Sequence, residues 1–385
     1  MESGATIKSL TSLRFFAAMA IVIQHSSGYF FSTEILKRIP LAMGVSFFFV
    51  LSGFILSYVY AEKMKSVGLY KFYTARFSRI WPAHIVTMLL LMMLIPSEQW
   101  VLGSPNGWLI GAMNASMLQS IVPVPAYYFS FNGVSWSVST EVFFYLAFPF
   151  LIISMGRTWK IKALGVLILG LCCTYFADKF FAPYSPEAMN SYTAHGISYI
   201  SPLGRIQEFF IGMLAFRAFL YIKDKKYIGF KSNTFLEVLA VGAVLLYTRQ
   251  ILNLAYLFAG SSFPGVGELV GNCAMGLMFG FLIVCFAINR GAVSQVLSMR
   301  YFVLLGEISF SMYLIHQIIL RFYGTNKSVF DFIPSGLMFA LVLVFVVFSA
   351  YLMWRFVEIP AQKYLKRFFA RFGENLSARK SDALN

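Results

Sequence analysis

The 385-residue chain is poor in charge: Asp and Glu number 16, Lys and Arg 31, and charged residues are 12% of the whole. A water-soluble globular surface carries about twice that share, so a soluble fold is excluded. Cysteine and histidine are rarer still, with four copies each. Cys172, Cys173, Cys273 and Cys285 all lie in apolar runs without metal-type spacing, which argues against a disulfide framework and leaves no metal expected. A small-residue cleavage site is missing after the first apolar run, and the apolar pattern continues beyond it, so the N-terminus does not read as a signal peptide. We find no internal repeat, no low-complexity run and no appended soluble domain.

Apolar residues fill the space instead, at 59% of the chain with a mean hydropathy of +0.72. The expected fold class is an all-α polytopic membrane protein, with about ten transmembrane helices in one bundle. Windows of high hydropathy fall near 9–31, 42–60, 81–96, 134–154, 161–177, 199–216, 235–252, 267–288, 301–320 and 335–356, the third looking short. Segment 107–121 is apolar but too short to cross alone and reads as interfacial or re-entrant. With both termini cytoplasmic, the outer segments hold only Lys37, Arg38, Lys179, Arg249, Arg321 and Lys327, and the inner ones hold the rest of the loop cations. That asymmetry obeys the positive-inside rule, so the formal charge of +15 reflects topology and not nucleic-acid binding. We divide the chain into a membrane domain, 1–360, and a basic tail, 361–385, whose KYLKRFFARF pattern suits a helix lying on the membrane surface.

Two ionisable residues stand inside the first span, Arg14 and His25. Eleven residues make about three turns, so both side chains lie on one face about 16 Å apart along the axis. Such groups in a span are costly and mark candidate sites, although Arg14 could snorkel to headgroups and His25 could bond a neighbouring helix. Arg76 and Arg79, spaced i, i+3 before the third span, could clamp a phosphate; taken alone, a positive-inside anchor is the favoured account. Within that span His84 reads as structural.

Glu141, in SWSVSTEVFFY, is expected about 12 Å below the outer end of the fourth span, a depth matching His25. A carboxylate beside an imidazole would orient it and raise its basicity, so Glu141 is a candidate partner of a His25 general base. Ser137, one turn before Glu141, reads as a hydrogen-bond partner in preference to a nucleophile. Arg205 and Glu208 read as a structural ion pair. Tyr313 and His316 share a face toward the outer end of the ninth span, where they could line an acceptor channel or lock helices together. Glu358-Ile359-Pro360 reads as a helix stop. The outer loop 97–133 has no Lys or Arg and is rich in aromatics, Tyr128 among them, which suits either a sugar platform or an interface belt.

The blocks SLRFFAAMAIVIQH, GVSFFFVLSGFIL, RFSRIWPAH, SWSVSTEVFFYLAFP, RIQEFFIGM and LGEISFSMYLIHQ, taken in order, resemble acyltransferase family 3, the integral membrane O-acyltransferases. The resemblance runs from about residue 8 to 360. It implies transfer of acetyl, less often another acyl group, from cytoplasmic acyl-CoA to hydroxyls of glycans across the membrane. The family's Arg-x10-His maps onto Arg14 and His25, with the His essential. Its Arg-x-x-Arg maps onto Arg76 and Arg79 on the donor side, and its Trp-Ser…Glu block onto Trp136, Ser137 and Glu141. The function expected is thus a multi-pass inner-membrane O-acetyltransferase acting on a surface polysaccharide or lipid-linked saccharide. Acetyl-CoA is its donor substrate, membrane lipids surround it, and a separate extracytoplasmic partner is left open. The rival is a transporter or flippase for a lipid-linked sugar or small solute, which would also need intramembrane charge.

Overall fold

The computed structural model describes residues 6–31, 41–100, 106–225, 229–259 and 263–382; Lys37 and Arg38 lie outside the described residues. Within these the regular elements are helical, apart from an isolated parallel bridge between Ala182 and Thr193. The principal helices are α1 (Lys8–Ser26), α2 (Gly44–Tyr60), α3 (Met64–Leu94), α4 (Gly107–Ala115), α5 (Trp136–Ile152), α6 (Met155–Phe180) and α7 (Pro202–Ile222). They continue as α8 (Phe230–Ala259), α9 (Pro264–Ile288), α10 (Arg300–Glu307), α11 (Ser309–Thr325), α12 (Ser335–Met353) and α13 (Ile359–Asp382). Short helical turns join several of them.

The segments expected to span fall mostly on one helix each, except 301–320, which is divided between α10 and α11. By length and composition six helices of the described chain are able to cross a membrane, or seven when α10 and α11, bent by 56°, count as one span. The protein is therefore a multi-pass, all-helical membrane protein. α1 and α7 are helical where expected but are diluted by Lys8, Arg14 and His25 in one and Arg205, Glu208 and Arg217 in the other.

Two expectations are corrected. The third span was placed at 81–96, but α3 starts at Met64, bends where Gly68 takes φ +75°, and carries Arg76 and Arg79 as helical residues. A hydropathy window reads those cations as loop, whereas a helix holds them easily, and Pro82 sits inside it. The stop at Glu358-Ile359-Pro360 is also absent. A π-helical turn, Trp354–Glu358, leads directly from α12 into α13. Pro360 stands at the second position of α13, where the widened turn has already disrupted the regular hydrogen-bond ladder that a proline would break.

Local chemistry fixes the helix starts. Pro202 opens α7 behind Ser201, whose hydroxyl accepts from the Leu203 amide. Pro264 opens α9, and the Asp178 carboxylate from α6 accepts from the amides of Gly265 and Val266 at 2.7 and 3.1 Å. In lipid there is no hydrophobic gain from burying one apolar helix against another, so close backbone contact has to supply the packing. α2 and α7 provide it at Gly53 and Gly212: a side chain at Gly53 would collide with the Phe209 carbonyl, and one at Gly212 with the Val50 carbonyl. Around that contact Phe49, Phe144, Phe148 and Phe209 make edge-on and stacked pairs and join α2, α5 and α7 into one core. α6 turns most of its surface to lipid, while α9 is largely buried. The tail helix α13 packs back on α3, with the Tyr70 hydroxyl donating to the Phe369 carbonyl at 3.0 Å.

Candidate active site

A cavity of about 180 Å³ opens among α1, α2, α3, α5 and α11. Its walls carry Arg14 from α1, Ser52 from α2, Arg76 and Arg79 from α3, Glu141 and Tyr145 from α5, and Tyr313 from α11. The i, i+3 spacing puts Arg76 and Arg79 on one face of α3, and α1 brings Arg14 to the same space. Among the described residues none of the three arginines lies within ion-pair distance of a carboxylate. Arg76 makes a 3.3 Å hydrogen bond to the Tyr60 hydroxyl, lies over the Tyr60 and Tyr145 rings, and keeps a buried Nε without a partner. Lys366 of α13 adds a further positive charge within electrostatic reach of Arg76 and Arg79. This side of the cavity is cationic, with Glu141 on its wall and Glu358 within electrostatic reach of Arg14 and Arg79, and guanidinium groups in such an arrangement are able to bind an anion.

Glu141 faces this cavity but is held. The Ser52 hydroxyl donates to its Oε1 at 2.9 Å, and the Tyr145 hydroxyl donates to the same oxygen at 2.7 Å. Farther along, the Ser137 and Tyr313 hydroxyls lie 2.7 Å apart, and Tyr313 donates to the Val134 carbonyl at 2.8 Å. Both side chains line the cavity. His316 lies one turn along α11, its ring centroid 5.8 Å from that of Tyr313. Beyond it is His25, whose Nδ1 is 2.8 Å from His316 Nε2.

The expected contact between Glu141 and His25 is therefore not made. The carboxylate turns to α2 and its own helix, and the imidazole meets a second imidazole instead. Equal depth was the only warrant for pairing them, and depth says nothing about direction around the helix. Arg14 and His25 are both on α1, yet Arg14 lines the cavity and His25 sits at the histidine pair. Ser137 and Tyr313 meet, as hydrogen-bond partners. Trp136 is buried against Phe49 and Tyr199 and does not line the cavity. Tyr128 is wholly buried and bonded to Thr193 at 3.2 Å, so it belongs to the core and not to an exposed aromatic face.

His84 bonds the Asn114 carbonyl at 2.7 Å, fastening α3 to α4. Arg205 and Glu208 form a bidentate pair at 2.5 and 3.1 Å. Sequence reasoning missed Ser52, Tyr60 and Tyr145. Tyr145 carried a usable signal, since it is one turn after Glu141 just as Ser137 is one turn before it. Ser52 and Tyr60 carried none, because their partners lie on other helices. Among the described residues no cluster of His, Cys, Asp and Glu is arranged to hold a metal ion.

Comparison with known proteins gives a consistent result. The family model described as an acyltransferase domain matches residues 7–355. The chain is 29% identical over 331 residues to Acyltransferase MdmB of Streptomyces mycarofaciens, covering 82% of this chain and 79% of that protein. It is 22% identical over 380 residues to a Staphylococcus aureus (strain COL) protein named "Putative O-acetyltransferase SACOL0978", covering 93% of this chain and 57% of that protein. The chain thus spans little more than half the length of the staphylococcal relative. No solved structure matches.

Proposed function

This chain belongs to the acyltransferase family whose model covers residues 7–355, and from that premise we propose that it moves an acetyl group from cytoplasmic acetyl-CoA to a hydroxyl of an extracytoplasmic glycan or lipid-linked sugar. It does so as a ten-span protein of the inner membrane, with both termini cytoplasmic. The observation that carries the reading is the convergence of Arg14, Arg76 and Arg79 on one cavity with no carboxylate within ion-pair distance of them among the described residues. Clustered cations with carboxylates only at longer range, here Glu141 and Glu358, are costly in a membrane protein, which supports a site organised around an anionic ligand. The donor's phosphates supply that charge.

In this mechanism the nucleotide rests at the arginine-rich mouth, because the cavity is too narrow for it. The slender thioester arm runs inward past Arg14 and Glu141 toward Ser137 and Tyr313. The acceptor hydroxyl comes from the outer side and gives its proton to His25. Its oxygen attacks the thioester carbonyl carbon, the carbon–sulfur bond breaks, and the proton leaves with the thiolate as free CoA thiol. Atoms and charge balance without a metal. Glu141 anchors Tyr145 and Ser52 and so holds the wall along which the arm lies.

The test is acetyl-CoA binding to the purified protein by calorimetry. Wild type and His25→Ala bind, Arg76→Ala/Arg79→Ala loses most of the affinity, and only wild type consumes acetyl-CoA. Folded wild type without any CoA binding would remove the reading and turn attention to solute transport.

A further inference from the structure

The two nitrogens of His316 have different partners. Nδ1 lies 3.3 Å from the Met312 carbonyl oxygen, one turn back on α11, and Nε2 lies 2.8 Å from His25 Nδ1. A carbonyl oxygen only accepts, so the single hydrogen of a neutral His316 ring sits on Nδ1 and Nε2 is bare. A bare Nε2 accepts, so the facing Nδ1 of His25 must donate. The ring planes differ by 3° with centroids 5.2 Å apart, which at an N···N distance of 2.8 Å means edge-to-edge rings in one plane. The N–H of one points along the in-plane lone pair of the other. His25 has one hydrogen when neutral, and that bond uses it.

We infer that His316 is a positioning residue that fixes His25 with Nδ1 protonated and Nε2 bare, so that Nε2 is the atom that takes the acceptor's proton. The arrangement deepens the function proposed above and rests on it for the source of that proton. Here a backbone carbonyl, relayed through a second imidazole, does the orienting that a carboxylate does in a Ser-His-Asp triad. The contact also survives the reaction. Once His25 carries hydrogens on both nitrogens it still donates Nδ1–H to His316, so proton capture requires no rearrangement of either ring. Both histidines come from firm elements: α1 carries His25 in its last turn, and His316 is wholly buried in the middle of α11.

The experiment uses the full chain in lipid nanodiscs with 15N-labelled histidine. The four histidines, His25, His84, His195 and His316, are assigned by single substitution. Wild type is expected to show a protonated Nδ1 and a bare Nε2 on His25. His316→Leu removes the acceptor and shifts His25 toward the opposite tautomer. The same variant lowers kcat for acetyl-CoA consumption about 100-fold or more, with the donor KM unchanged. His316→Gln keeps an acceptor oxygen near the Nε2 position and recovers most of both signals, which also covers the case in which His316→Leu fails to fold. A His25 protonated on Nε2 in wild type, or a tautomer unchanged in His316→Leu, would overturn the inference. A wild type with the expected tautomer but no acyl turnover would overturn the function while supporting the positioning.

Discussion

Two sets of arginines sit a few helices apart and are treated in opposite ways, Arg205 fully buried and Arg14, Arg76 and Arg79 half-buried. Arg205 is enclosed on every side: bidentate to Glu208, bonded to Ser46 at 3.0 Å, and sandwiched between the Phe49 and Tyr199 rings at 5.2 and 4.5 Å. Arg14, Arg76 and Arg79 share a cavity and have no paired carboxylate within ion-pair distance among the described residues. The first arrangement locks α7 to α2 and has nothing left over for a ligand. The second is looser: Arg76 bonds Tyr60, Glu141 and Glu358 act on the set only from beyond ion-pair distance, and part of its hydrogen-bonding capacity faces the cavity. Burial and pairing go together here: the arginine with a carboxylate at contact distance is the fully buried one, and the three without one line a cavity.

The contrast breaks most visibly at Glu208. Glu208→Ala leaves Arg205 charged and alone in the interior, and should cost about 3–5 kcal/mol of stability, read as a large fall in thermal unfolding temperature. Arg205→Met/Glu208→Leu removes both charges and should restore most of that loss in the same measurement. A stable Glu208→Ala protein would end the comparison.

The cavity arginines should respond in the opposite sense. Arg76→Ala and Arg79→Ala should each leave stability within about 0.5 kcal/mol of wild type, read as little change in unfolding temperature. Each should weaken acetyl-CoA binding by roughly 1.5 kcal/mol, or about tenfold in Kd by calorimetry. Salt sharpens the same point: acetyl-CoA affinity should fall as ionic strength rises, while unfolding governed by the enclosed Arg205–Glu208 pair should scarcely move. The smallest effect is expected at Tyr145→Phe, which frees one of two hydroxyls from Glu141. It should cost about 1 kcal/mol in thermal unfolding and leave donor affinity close to wild type.

Much of the architecture was legible because lipid imposes a simple rule: a crossing helix must be long and apolar. The errors arose where that rule is silent. Basic residues on α3 looked like a loop, although helical backbone satisfies its own hydrogen bonds whatever its side chains. Pro360 looked like a stop because a π-helical turn leaves no mark that composition can reveal. At the site, spacing along one helix was reliable, and Arg76 with Arg79 came out as expected. Pairing across helices was not, since His25 and Glu141 share a depth but face different neighbours. His316 was visible as a candidate, yet only packing of α1 against α11 discloses that it is the residue beside His25. Tyr128 was chosen for its aromatic surroundings, which do not distinguish a platform from a core.

The unbroken run from Ser335 through the π-helical turn to Asp382 has a mechanical meaning. The π-helical turn and Pro360 give this run a natural bending point, and beyond it the tail leans on α3 at Tyr70 and at Phe77, whose ring meets that of Phe369 at 6.1 Å. Phe77 lies between Arg76 and Arg79. The tail is thus a flap laid along the same helix that carries the arginine pair, and a change in its tilt moves Lys366 relative to Arg76 and Arg79 and so alters the local charge there.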